Sequence, residues 1–112
     1  MKINIKYTNL DHSQPLHEYV EKKIGGLAKL LKKIEIKAEA LARVEVARTT
    51  KHHQKGAVYR AEVNLDLPNI VLRAEHQDWD IRVAVDQVKD KLQREIVKYK
   101  ETLKNWSLIL DH

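Results

Sequence analysis

From Asp78 onward, the apolar residues Ile81, Val85, Val88, Leu92, Ile96, Tyr99 and Leu103 recur at steps of three and four. That is the period of one helical face turned into a core, so residues 78–104 are expected to form one long amphipathic helix. At about 100° per residue, Lys91, Arg94 and Lys98 lie close together in projection, to one side of the apolar stripe. A helix held down by its core face would present them as a basic ridge.

The rest of the chain reads as the means of covering that stripe. Ile3, Ile5 and Tyr7 alternate with Lys2, Asn4 and Lys6, the period-two pattern of a strand with one buried face. A turn-rich segment, Asn9 to Ser13, follows, with Ser13 as N-cap of a helix carrying Pro15 in its first turn, where a missing amide proton costs little. Leu16 stands where the acid of a capping box would be. Leu16, Val20, Ile24, Leu27 and Leu31 then mark a stripe through about Lys33, with Glu18 and Glu21 early and Lys29, Lys32 and Lys33 late, as the helix dipole favours. Gly25-Gly26 costs about 1 kcal/mol per glycine relative to alanine. An unbroken helix packed closely on the sheet is expected there.

A second strand is expected from about Ala40 to Arg48, and a connecting loop from Thr49 to Gly56. The cleanest alternation follows: Ala57, Tyr59, Ala61, Val63, Leu65 and Leu67 against Val58, Arg60, Glu62, Asn64 and Asp66. Pro68-Asn69 supplies a tight turn, and Ile70, Leu72 and Ala74 return as a fourth strand. Asp78 or Asp80 can cap the long helix. Strands with one apolar face and helices with one apolar stripe are satisfied together by a two-layer α+β sandwich of order β-α-β-β-β-α, with a four-stranded sheet, both helices on one face, and the other face solvated. No repeat, low-complexity tract or linker interrupts it, so 1–112 is expected to be a single domain.

Charge and composition narrow the partners. The formal net charge of +5 and pI near 9.4 favour a polyanion, since each phosphate neutralised releases condensed counterions. No apolar run reaches the roughly 20 residues of a membrane span, and MKINIKYTN alternates where a signal peptide would be continuously apolar, which points to a cytoplasmic protein. With no cysteine, a disulfide framework, a thiolate zinc site and a cysteine nucleophile are excluded together.

No motif for chemistry emerges. His12, His17, His52, His53, His76 and His112 form no helical metal pair with an intervening glutamate. Ser13 and Ser107 lack a nucleophile elbow, and three glycines make no phosphate loop. Neither a cofactor nor a metal is expected, and no residue is assigned a catalytic role. Trp79 and Trp106 can stack on bases, but packing against the core or as a staple at the helix ends is the simpler reading.

The run YRAEVNLDLPNIVLRAEHQD, Tyr59 to Asp78, and AVDQVKDKLQREIVKYK, Ala84 to Lys100, closely resemble the ribosome hibernation promoting factor and ribosome-associated inhibitor family. Similarity extends more weakly through HEYVEKKIGGLAKL, His17 to Leu30, and the strand-proline-turn-strand segment and the DKLxRxxxKYK pattern at Asp90 to Lys100 are together fairly specific. The resemblance implies a β-α-β-β-β-α fold like that of double-stranded-RNA-binding domains. It also implies binding to the ribosomal RNA of the small subunit, in the channel of messenger and transfer RNA, with silencing of translation in stress or stationary phase. Carried over by position, the family's RNA-contacting residues fall on Lys91, Arg94 and Lys98, with Lys100 nearby, and on Lys29 and Lys32 near the end of the first helix. The family's aromatic residue after the Gln-Asp that opens the last helix corresponds to Trp79 or Arg82, depending on which end anchors the alignment. Ending at His112, without an acidic tail or dimerisation domain, the chain looks most like a short form, expected to be a monomer off the ribosome.

The mechanism these readings imply is occlusion: a rigid basic surface grips RNA phosphates by charge and shape while its bulk excludes messenger and transfer RNA. A general double-stranded-RNA-binding module is the alternative within RNA binding. A protein-interaction domain that binds no RNA is the alternative outside it.

Overall fold

The computed structural model describes residues 1–34, 38–49 and 58–110, with side chains through 104. Four strands, β1 (Lys2–Thr8), β2 (Leu41–Arg48), β3 (Tyr59–Leu67) and β4 (Ile70–Asp78), form one sheet in the order β1-β2-β3-β4. Two helices, α1 (Gln14–Gly25) and α2 (Ile81–Leu110), complete the expected α+β arrangement. β1 and β2 run parallel, which the intervening crossover through α1 makes possible, and the other neighbours are antiparallel. Leu67 pairs with Ile70 across Pro68-Asn69, and Asn69 takes the left-handed conformation, φ 66°, that asparagine tolerates and this two-residue turn requires.

One face of the sheet carries Ile3, Ile5 and Tyr7, then Ala42, Val44 and Val46, then Ala61, Val63, Leu65 and Leu67, then Leu72 and Ala74. α1 brings Leu16, Val20 and Ile24 to this face, and α2 brings Ala84, Val85, Val88, Leu92 and Ile96. No polar side chain is buried among the described residues. The stripe on α2 thus matches expectation, with Ala84 added and Leu103 left exposed.

Helix boundaries follow their caps. The Ser13 hydroxyl accepts from the Leu16 amide at 3.4 Å, and Pro15 lies in the first turn of α1. Asp80 caps α2: its carboxylate accepts from the Arg82 amide at 2.9 Å, while the Asp78 carboxylate accepts from the Asp80 amide at 2.9 Å. Strand β4 therefore runs on to Asp78, and α2 starts at Ile81 rather than at 78.

The unbroken first helix does not form. α1 ends at Gly25, and Gly26–Leu30 tighten into a 3-10 turn that still buries Leu27. Two adjacent glycines remove the propensity that would have held the wider α-turn, and the short spiral keeps the apolar residues facing inward. A Cβ on Gly25 would lie 3.8 Å from the Ile3 side chain and one on Gly26 3.9 Å from Lys89 Cε, ordinary contact distances, so close approach does not require these glycines. The expected strand start at Ala57, and most of the loop from Thr49 to Gly56 with His52 and His53, fall outside the described residues.

Candidate nucleic-acid interface

With its stripe fixed on the sheet, α2 has two flanks of different character. One faces α1: the Tyr19 hydroxyl donates to Asp86 at 2.6 Å, Lys23 lies 3.7 Å from the same carboxylate, and the Arg82 guanidinium stacks 4.8 Å from the Tyr19 ring centre. Burial, then the hydrogen bond to Asp86 and its charge, push the Tyr19 phenol up to about 12, so it remains a donor there. Further along this flank Lys89 passes over Gly26, and Lys100 and Lys104 come alongside Lys33. The other flank, with Lys91, Arg94 and Lys98, lies toward β4, an edge strand of the sheet.

The ridge expected from Lys91, Arg94 and Lys98 is thereby divided. Arg94 and Lys98 are exposed and border one open groove with Gln87 and Val97. Asp90 and Glu101 share that groove and temper its charge. Lys91 is half-buried, and its ammonium donates to the Glu75 carbonyl at 2.8 Å and lies 3.3 Å from His76 Nδ1. It holds the helix to the sheet as well as contributing charge. Lys98 has only a distant acid, Glu95 at 4.0 Å, and at this exposure such a pair is worth little.

Lys29 closes the 3-10 turn and Lys32 follows it, both exposed. The structure brings their neighbour Lys33, rather than either of them, to the C-terminal half of α2, where it shares a cleft with Lys100. Lys33, Lys89 and Lys104 are thus additional cations of the helical side. Rotating the α2 sequence by 100° per residue toward the flank that faces α1 would have found Lys89, Lys100 and Lys104 together.

The opposite face of the sheet handles its charges differently. Glu45, Glu62 and Glu75 stand directly across from one another on β2, β3 and β4, a row of like charges that would be unfavourable alone. Arg60 binds all three carboxylates, and Arg73 binds Glu62 and Glu75. Arg43 makes a two-pronged pair with Asp66 at 2.7 and 3.0 Å. Burial would raise the Glu62 carboxyl, but Arg73 and Arg60 outweigh it and hold it below the usual carboxylate range. The Arg60 hydrogen bond holds Glu75 low as well.

Elsewhere, the Tyr7 hydroxyl lies 3.1 Å from His17 Nδ1, and His17 Nε2 lies 2.6 Å from Glu21. No group of three or more metal-ligating side chains occurs among the described residues. Trp79, expected in core or staple packing, is 61% exposed in the turn between β4 and α2. It precedes the helix, in the turn that the Asp78 and Asp80 carboxylates cap, and so lies outside the apolar stripe that begins at Ile81. The Trp106 side chain and His112 lie outside the described residues. No helix among the described residues is long and apolar enough to cross a membrane.

Comparison with known proteins agrees with this architecture. The chain is 31% identical over 100 residues to the ribosome hibernation promotion factor of Staphylococcus aureus (strain COL), covering 89% of this chain and 48% of that protein. It is 36% identical over 100 residues to the ribosome hibernation promotion factor of Lactococcus lactis subsp. cremoris (strain MG1363), covering 89% of this chain and 50% of that one. The chain thus spans about half the length of the curated relatives it matches. Among solved structures, the N-terminal domain of Thermus thermophilus Protein Y superposes with a TM-score of 0.68 at 29% identity, covering 88% of this chain and 99% of that domain. A ribosomal subunit interface protein from Coxiella burnetii has a TM-score of 0.67 at 23% identity, with 90% and 99% covered, a likeness of fold. Residues 3–104 match the Sigma 54 modulation protein / S30EA ribosomal protein family, and the chain belongs to that family.

Proposed function

We propose that this chain is a ribosome-binding domain of the hibernation type, which enters the small-subunit channel and silences translation by excluding messenger and transfer RNA. The observation that carries the reading is the asymmetry of charge. Arginines on the outer sheet face are matched to carboxylates, whereas Lys29, Lys32, Lys33, Arg94, Lys100 and Lys104 have no carboxylate within ion-pair distance among the described residues. Unmatched cations on rigid helices suit a phosphate surface whose shape is fixed in advance. The names of the relatives support the same assignment. Lys29, Lys32, Arg94, Lys98 and Lys100 are assigned to phosphate contact, with Lys91 contributing from its place against β4. The action is occlusion, with no chemical step, by a cytoplasmic protein that is monomeric off the ribosome.

Co-sedimentation of the protein with purified small subunits tests this. Binding should be lost as transfer RNA saturates its sites, and a plain RNA duplex should compete poorly. Equal affinity for subunit and duplex would instead mark a general double-stranded-RNA module. Absence of both at low salt would mark a protein-interaction domain.

A further inference from the structure

The C-terminal half of α2, the β3–β4 turn and the segment after the 3-10 turn border a partly open cavity of about 300 Å³ that the charge asymmetry alone does not explain. Its walls are Ile34, Pro68, Tyr99 and Leu103, with Lys33, Asn69 and Lys100 also lining it. The Tyr99 hydroxyl donates to the Pro68 carbonyl at 3.0 Å, so the ring is held as a fixed wall. A second cavity, of about 540 Å³, is lined by the same Lys33 and Lys100 together with Val97, Lys104 and Glu101.

We propose that the first cavity receives the base of an unpaired nucleotide in an RNA strand, with the adjoining phosphates on Lys33, Lys100 and Lys104. The proposal rests on the RNA-binding reading above and names a base contact within it. An apolar slot with an aromatic wall accepts a planar base, and a base in such a slot leaves its phosphate at the lysines. The volume is at the small end of ligand cavities, suited to one base rather than to a larger apolar body. Two cavities joined through shared lysines suit a strand, whose backbone continues from one into the other, better than a free mononucleotide, which would fill only one. Glu101 opposes an anion in the second cavity and is outnumbered there by three lysines.

The test uses the full chain with methyl labels and two single-stranded RNA hexamers of equal charge, one all-adenosine and one with its central bases removed. Resonances of Ile34 and Leu103 should shift upfield with the adenosine hexamer alone, and its affinity should exceed that of the abasic strand by about tenfold. Ile34→Trp, which fills the slot, and Leu103→Glu, at an exposed position, should each remove that advantage. Leu103→Glu keeps the test decisive should Ile34→Trp not fold. Equal affinity for both hexamers would overturn the proposal in favour of grip by charge alone, and adenosine monophosphate binding as tightly as the hexamer would overturn the strand. Failure of the wild type to sediment with small subunits would remove the ribosomal reading, while the hexamer comparison would still decide the cavity.

Discussion

The two faces of the molecule use the same residue types to opposite ends. On the open face of the sheet, Arg60 and Arg73 are consumed by Glu45, Glu62 and Glu75, which could not stand in a row across three strands without them. On the helical side, five lysines between Lys22 and Lys33 meet no intervening acid in sequence, and the cations of α2 are mostly left to solvent. The positive surplus of the chain is therefore concentrated on the helical side, with Lys2 and Lys6 of β1 as exposed lysines on the open face of the sheet. A polyanion would meet a sheet face whose arginines are already paired, with Lys2 and Lys6 at its β1 edge, on one side and the larger unmatched surface on the other, where more of its condensed counterions would be displaced.

If the two faces are separate devices on one core, damage to the core must disable both. Leu92 is fully buried on the core face of α2, and Leu92→Ala should cost roughly 2 to 5 kcal/mol by leaving a cavity. Urea unfolding measures that loss, and small-subunit binding should fall in step with the folded fraction. Retention of full stability would mean that α2 is held by its edge contacts rather than by the shared core.

The sheet face is the next place to break the contrast. Arg60→Met leaves three carboxylates facing one another and should cost on the order of 1 kcal/mol at neutral pH, discounted for their partial exposure. Subunit affinity of the folded protein should not change. The pH dependence carries a sign. Glu62 and Glu75 are held below the ordinary range, so their contribution is complete above the unfolded carboxylate value, about 4.3, and is lost as pH falls through the lower folded values. Wild type should therefore lose stability in acid, and the gap to Arg60→Met should narrow there as the row protonates. An unchanged gap between neutral and acid solution would show that packing of the arginine, not charge, stabilises the sheet.

Much of this architecture was legible because its signals are local. The alternation of Ala61, Val63, Leu65 and Leu67, the Pro68-Asn69 turn and the three-and-four spacing of Val85, Val88, Leu92 and Ile96 each depend on a few neighbouring residues. The 3-10 turn after Gly25 was harder to read, since propensity disfavours the α-helix there without saying what replaces it. The carboxylate row was hidden because it depends on strand register, which brings Glu45, Glu62 and Glu75 together from separate segments. The meeting of Lys33 with Lys100 and Lys104 joins distant parts of the chain in the same way. Projection of a single helix recovered Lys91, Arg94 and Lys98 as a group but did not reveal that the edge strand already holds one of them.

That division gives the smallest and sharpest test, because Lys91 belongs to both devices at once. Arg94→Gln removes an exposed charge with no carboxylate partner, so stability should stay within about 0.5 kcal/mol of wild type. If Arg94 grips a phosphate, the slope of log affinity against log salt should flatten by about 0.7 to 0.9, measured against small subunits at fixed magnesium. Lys91→Gln should behave differently on both axes. It removes the donor to the Glu75 carbonyl, which should cost about 0.5 kcal/mol, and it should flatten the salt slope by less than Arg94→Gln because that ammonium is already held against β4. A full-sized change in slope without loss of stability would mean that Lys91 leaves the edge strand when RNA binds. The basic ridge would then be whole in the complex although it is divided in the free protein.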